Sequence, residues 1–100
     1  MRKIAIFASG SGSNAENIIR HFRGNEKVEV VLVLSNKPNA LVLERAKKHS
    51  IPTLTFTKDE LMNSTKVIDG LKEYNASMII LAGFLLKIPE RLIKHYPNAI

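Results

Sequence analysis

Cysteine is missing from the sequence altogether, which removes a disulfide framework, a thiolate zinc site and a catalytic thiol at once and fits a reducing, cytoplasmic setting. No apolar stretch is long enough to cross a bilayer, so no membrane partner is expected. The basic and then apolar start from Met1 to Phe7 imitates a signal peptide only briefly, because Ser9-Gly10-Ser11-Gly12 interrupts it. Aromatic residues make up only 6% of the chain, and they are not interleaved with basic residues as base-stacking platforms are. No nucleic-acid partner is expected. Gly-Lys-Ser and Gly-Lys-Thr triplets are absent, which excludes a Walker A loop. His21, His49 and His95 have no carboxylate or second histidine at triad or metal spacing, so they read as structural or surface groups and no metal is expected. Asp59, Glu60 and Asp69 read as first-turn or exposed helix charges.

What remains is an ordinary globular composition, 45% hydrophobic over 100 residues, enough for one domain with a layered core. The excess of six positive charges favours anionic ligands without choosing among them. Most basic residues, such as Arg20, Arg45, Lys48, Lys72 and Lys94, fall on what read as solvated helix faces. Hydrophobic period switches back and forth along the chain. It predicts strands at 4–8, 28–34, 53–56 and 78–82, and helices at 14–23, 40–49, from about 65 to 74, and from Pro89 to about His95. Gly24-Asn25 stops the first helix and Pro97 closes the last. Ser64 or Thr65 is the expected N-cap of the third helix. The run Met78 to Ala82 is apolar throughout, which predicts a central strand. Alternating strands and helices with right-handed crossovers make a doubly wound, Rossmann-like α/β fold, a parallel sheet with helices on both faces. Asn98-Ala99-Ile100 reads as the opening of a fifth strand, so a longer protein is expected.

The segment Ser9-Gly10-Ser11-Gly12-Ser13-Asn14 lies between the first strand and the first helix. Glycines let the backbone turn sharply there, and free N–H groups at a helix N-terminus cradle a phosphate. Ser11, Ser13 and Asn14 add neutral donors. Ser13 to Glu16 also matches a capping box, the structural reading of the same residues. Gly10, Gly12 and Ala15 satisfy the spacing of a dinucleotide-binding turn. However, the second strand ends Leu34-Ser35-Asn36-Lys37, without the carboxylate that binds an adenosine ribose. Lys37 would instead favour a 2′-phosphate, so a non-catalytic NADP-binding module stays open. In a doubly wound sheet the first and fourth strands are neighbours where the winding reverses, and ligands bind in the crevice there. The loop Gly83-Phe84-Leu85-Leu86-Lys87-Ile88 would then face the glycine-rich turn, with Phe84, Leu85, Leu86 and Ile88 lining an apolar pocket for a flat ring; Leu81 and Phe84 taken singly read rather as completing the core.

The segments Lys3 to Asn14, Leu34-Ser35-Asn36-Lys37, Leu43-Glu44-Arg45-Ala46 and Leu81-Ala82-Gly83-Phe84 together resemble the phosphoribosylglycinamide formyltransferases over almost the whole chain. The resemblance implies a folate-dependent enzyme of purine synthesis that moves a formyl group from 10-formyltetrahydrofolate to glycinamide ribonucleotide, without a metal. It implies that Gly12, Ser13 and Asn14 hold the ribonucleotide phosphate, with Gly10 and Ser11 of the same cradle completing the expected substrate-binding set, and that Leu85, Leu86, Lys87 and Ile88 contact the folate. Many members have Met-Arg where this chain has Leu85-Leu86, and Lys87 is the candidate substitute. Lys58 is the nearest candidate for a second folate-binding arginine of many members. The family's catalytic asparagine and histidine, in an Asn-Ile-His-Pro motif, and an aspartate farther on would follow Ile100. Residues 1–100 are then expected to be the N-terminal nucleotide-binding part of a single, truncated formyltransferase domain, with no catalytic residue of their own; a homodimer is compatible with this reading. Formyltetrahydrofolate deformylase, which shares the Leu-Ala-Gly-aromatic segment, is the alternative within formyl transfer.

Overall fold

A computed structural model of the protein describes residues 2–95. Its elements run β1 (Arg2–Phe7), α1 (Ser13–Phe22), β2 (Val28–Ser35), α2 (Leu41–Lys48), β3 (Thr53–Thr55), α3 (Lys58–Asn63), α4 (Lys66–Glu73), β4 (Met78–Leu81) and α5 (Glu90–His95). The order agrees with the sequence pattern except for α3, which the pattern left as a polar stretch. Its signature is a T-x-x-E capping box: Thr57 Oγ1 accepts from the Glu60 N–H at 3.0 Å, and the Glu60 carboxylate accepts from the Thr57 N–H at 2.8 Å. Thr65, one of the two expected caps, precedes α4 but makes no side-chain capping bond. No helix among the described residues is long and apolar enough to cross a membrane. The segment around Pro97 and Asn98 to Ile100 lies outside the described residues.

All four strands are parallel, in the order β3-β2-β1-β4. The chain steps outward from β1 to β3 and then returns to the other side of β1, so right-handed crossovers send the later helices to the opposite face. Side chains of β1 alternate accordingly. Ile4, Ile6 and Ala8 pack with Ala15 and Ile19 of α1 and with Val42, Leu43 and Ala46 of α2. Ala5 and Phe7 pack with Phe56, Leu61 of α3, Ile68 and Leu71 of α4, and Leu92 of α5. The β1–β2 register slips between Ile4 and Ala5, which pair with Val30 and Leu32, leaving Val31 as an extra residue. That bulge is why Val30 and Val33 share one face although an odd number of steps separates them.

Among the described residues β4 pairs with β1 alone; the fifth strand expected to open at Asn98, on which a central place for β4 depends, lies outside them. Leu81 is 42% exposed. Hydrophobicity along a strand reports whether helices cover its faces, as they do here, and says little about whether both backbone edges are paired.

A buried polar cluster joins α1 to α2. Glu16 is 6% exposed, and its carboxylate accepts from Arg45 at 2.5 Å and from His49 Nε2 at 3.0 Å, with Arg20 at 3.8 Å. Arg23 donates to the other ring nitrogen, Nδ1, of His49. His49, expected to be a structural or surface group, is structural: its partner Glu16 lies far away in the chain, and only helix packing brings the two together. The hydrogen bonds from His49, first, and Arg45 hold the Glu16 carboxyl below its usual range against the opposing effect of burial, and Arg20 adds to this. A carboxylate with a lowered folded-state pKa stabilises the fold above its unfolded value, and that stability is lost as pH falls through the folded value. Urea denaturation between pH 7 and pH 3 is expected to show stability falling below about pH 4.5. Glu16→Gln is expected to be less stable at pH 7 and to lose part of this acid dependence.

Candidate substrate-binding cleft

Beyond Phe7 the chain leaves the sheet between two parallel neighbours. The Ala8 N–H donates to Leu34 O at 3.0 Å, and the Ser9 N–H to Gly83 O at 3.3 Å. The turn that follows lies against the start of α2, where Val42 N–H donates to Gly10 O at 3.3 Å. Gly12 has φ +79°, and a Cβ there would sit 2.5 Å from Val42 Cβ and 2.6 Å from Val42 Cα. Only glycine meets both demands.

Gly12 is also the N-cap of α1, and its carbonyl accepts the first helical bond from Glu16 N–H at 2.7 Å. The capping box expected over Ser13 to Glu16 is not formed. Ser13 is already inside the helix, no side chain caps it, and Glu16 is turned toward α2. The first-turn amides of α1 thus keep their hydrogen-bonding capacity at the positive end of the helix dipole.

These amides open on a cleft of about 210 Å³ lined by Gly10, Ser11, Gly12, Ser13 and Asn14 on one wall and Ala82 and Gly83 on the other. All five residues expected to hold a phosphate come together there, at the reversal point between β1 and β4. The lining carries no charged side chain, so attraction for an anion comes from oriented dipoles and neutral donors. A separate cleft of about 280 Å³ lies around the ends of α1 and α2 and the start of β2, over Ile19, Phe22, Val28 and Ile51, with Arg23 and His49 among its lining. Those last two groups are bonded to each other.

The turn after β4 differs from the expected apolar wall. The Phe84 ring packs edge-on against Phe7 at 5.3 Å and in a tilted arrangement against Phe56 at 6.0 Å. Ile88 is buried, at 7% exposure, in the core with Leu92, and Leu86 packs half-buried on the same core. Phe84 thus completes the core, the reading preferred for it singly, and the expectation that Leu86 and Ile88 side chains line a pocket is corrected: α5 starts directly afterwards and needs this apolar anchor. Leu85, 73% exposed, and Lys87 are left facing solvent. Lys58 is exposed at the first position of α3, after the edge strand β3, with β2 and β1 between that strand and β4. The aromatic contact of Phe56 with Phe84 links its loop to the turn. Lys37 is exposed just past β2.

Ser9 and Asn36, which sequence reasoning did not single out as site residues, lie directly behind the cleft. Ser9 is 1% exposed and its Oγ bonds both Asn36 and Leu85. Both lie in segments that carry the family resemblance, Lys3 to Asn14 and Leu34-Ser35-Asn36-Lys37, but nothing in their spacing pairs them with each other or with Leu85. Among the described residues no group of three or more His, Asp and Glu comes together as a metal site. The turn geometry sets a paired expectation for urea denaturation. Gly12→Ala should lose at least about 2 kcal/mol through left-handed strain and overlap with Val42. Gly10→Ala, which meets open space, should stay within about 0.5 kcal/mol.

The sequence pattern of the formyl transferase family matches residues 2–100. The chain is 33% identical to phosphoribosylglycinamide formyltransferase of Bacillus subtilis (strain 168), over 100% of this chain and 54% of that protein. It is 32% identical to the chloroplastic phosphoribosylglycinamide formyltransferase of Arabidopsis thaliana, over 99% of this chain and 36% of that protein. Among solved structures, glycinamide ribonucleotide transformylase 1 from Geobacillus kaustophilus superposes with a TM-score of 0.88 at 31% identity, covering 100% of this chain and 56% of that one. The chain spans about half the length, or less, of these relatives. With a family match along nearly its entire length and a sheet that agrees with the solved relatives, the chain belongs to the formyl transferase family.

Proposed function

We propose that residues 1–100 form the N-terminal, ribonucleotide-binding part of a phosphoribosylglycinamide formyltransferase domain, acting in the cytoplasm. The reaction moves a formyl group from 10-formyltetrahydrofolate to the amine of glycinamide ribonucleotide. The amine nitrogen bonds to the formyl carbon, the bond from that carbon to N10 of the folate breaks, and one proton passes from the amine to N10. By the family resemblance, the groups that polarise the carbonyl and manage the proton follow Ile100. The work of the present residues is binding and orientation.

The observation that carries this reading is the uncapped N-terminus of α1, opened by Gly12 and facing Ala82 and Gly83 across one cleft. A phosphate there would accept from first-turn amides, the Ser11 and Ser13 hydroxyls and the Asn14 side chain. Hydrogen bonds to a charged group contribute about 1.5–3 kcal/mol each. The folate donor would lie on the other wall, against exposed Leu85 and main-chain groups of Leu86 and Ile88, with Lys87 and Lys58 near its polar ends.

Isothermal titration with glycinamide ribonucleotide tests the reading. Asn14→Ala is expected to weaken binding about 10-fold, the equivalent of one charge-assisted bond. Ser13→Asp separates binding from folding. A carboxylate at the start of α1 should stabilise the helix by about 0.3–1 kcal/mol yet repel the phosphate, so affinity should fall at least about 10-fold while the melting temperature holds or rises. Unchanged affinity in both variants, or tighter binding of NADPH than of the ribonucleotide, would count against the proposal.

A further inference from the structure

We infer that Ser9 is a positioning residue that couples the two walls of this cleft, so that a ligand seated on the glycine-rich turn sets the backbone of the turn after β4. The inference rests on the functional reading above and deepens it. Ser9 does not line the cleft. Its hydroxyl donates to Asn36 Oδ1 at 2.7 Å and accepts from the Leu85 N–H at 3.0 Å, while its own N–H donates to Gly83 O at 3.3 Å. One side chain therefore ties together the chain segments leaving β1, β2 and β4.

The direction of these bonds leaves the hydroxyl no alternative. Asn36 Oδ1 can only accept and the Leu85 N–H can only donate, so the single hydroxyl proton must point to Asn36 and a lone pair to Leu85. At 1% exposure no solvent competes for either bond. Among the described residues, Leu85 has the one amide between 84 and 88 that another protein group holds. Packing of Phe84 and Ile88 holds the rest of that turn. Removing the Ser9 oxygen would release the backbone at Leu85 without removing that packing. Leu85 is also the apolar side chain the turn presents to solvent, so rotation there re-aims the group that faces the folate in the proposed function.

Amide NMR of the isotope-labelled protein, titrated with glycinamide ribonucleotide, tests the coupling. In the unmodified protein the amides of Ser11, Ser13, Asn14 and Leu85 are expected to shift along one binding curve. In Ser9→Ala the first three should keep their dissociation constant within about threefold while the Leu85 shift falls at least about fivefold. Asn36→Ala should do the same and carries the test if Ser9→Ala does not fold; Asn36→Asp, which keeps an acceptor oxygen, should restore the Leu85 response. A Leu85 shift that persists in Ser9→Ala and Asn36→Ala, or one that weakens only in step with the other three, overturns the coupling and leaves the functional reading standing. Amides of Ser11, Ser13 and Asn14 that do not respond even in the unmodified protein overturn the functional reading, and the coupling with it.

Discussion

Strand β1 is hydrogen-bonded along both edges, to β2 and to β4, and its run from Ile4 to Ala8 is at most 2% exposed. A backbone buried to that degree has no water as an alternative partner, so each amide must be satisfied by a neighbouring strand. This constraint reaches past the end of the strand. The Ala8 and Ser9 amides continue the pairing by one bond to each side, to Leu34 and Gly83, before the chain turns. The glycine-rich turn therefore departs from a point located by two other strands, and both walls of the cleft inherit the rigidity of the sheet.

Fold stability and, in the proposed function, anion attraction are assigned to different atoms of the same helix. Glu16, an acidic residue in the first turn of α1, would ordinarily complement the dipole or close a capping box. Here it is committed to Arg45 and His49 on α2, where it fastens the two helices that cover one face of the sheet. The N-terminus of α1 is left with a side-chain-free glycine cap, and having glycine rather than serine or aspartate there costs only about a few tenths of a kcal/mol. In the proposed function the substrate phosphate takes the place of that cap, so the donors left unused in the fold are those a ligand needs.

Much of this was legible in the chain. Alternation in β1 sorts Ile4 and Ile6 from Ala5 and Phe7 because side-chain direction on a strand has a period of two. The cluster of glycines and serines after it announced the turn, since few other residues permit a positive φ or a main-chain approach. The turn after β4 was read less well. Phe84, Leu86 and Ile88 are apolar in either role, and composition does not distinguish a core anchor from a pocket wall. Helix α3 was missed because its apolar face is short, although Thr57 and Glu60 carried the capping signal in plain view.

The sequence by itself determined the order of strands and helices, the location of the glycine-rich turn and, by resemblance, the family, because these rest on local periodicity and on residue types at fixed spacing. Only the tertiary structure decided that Glu16 meets His49, that Gly12 must stay bare against Val42, that β4 lies at an edge of the described sheet, and that Ser9 joins three loops. Each of those contacts links residues distant in the chain through backbone pairing or helix packing. A hydroxyl or a carboxylate acquires its partner there only once the sheet order is set.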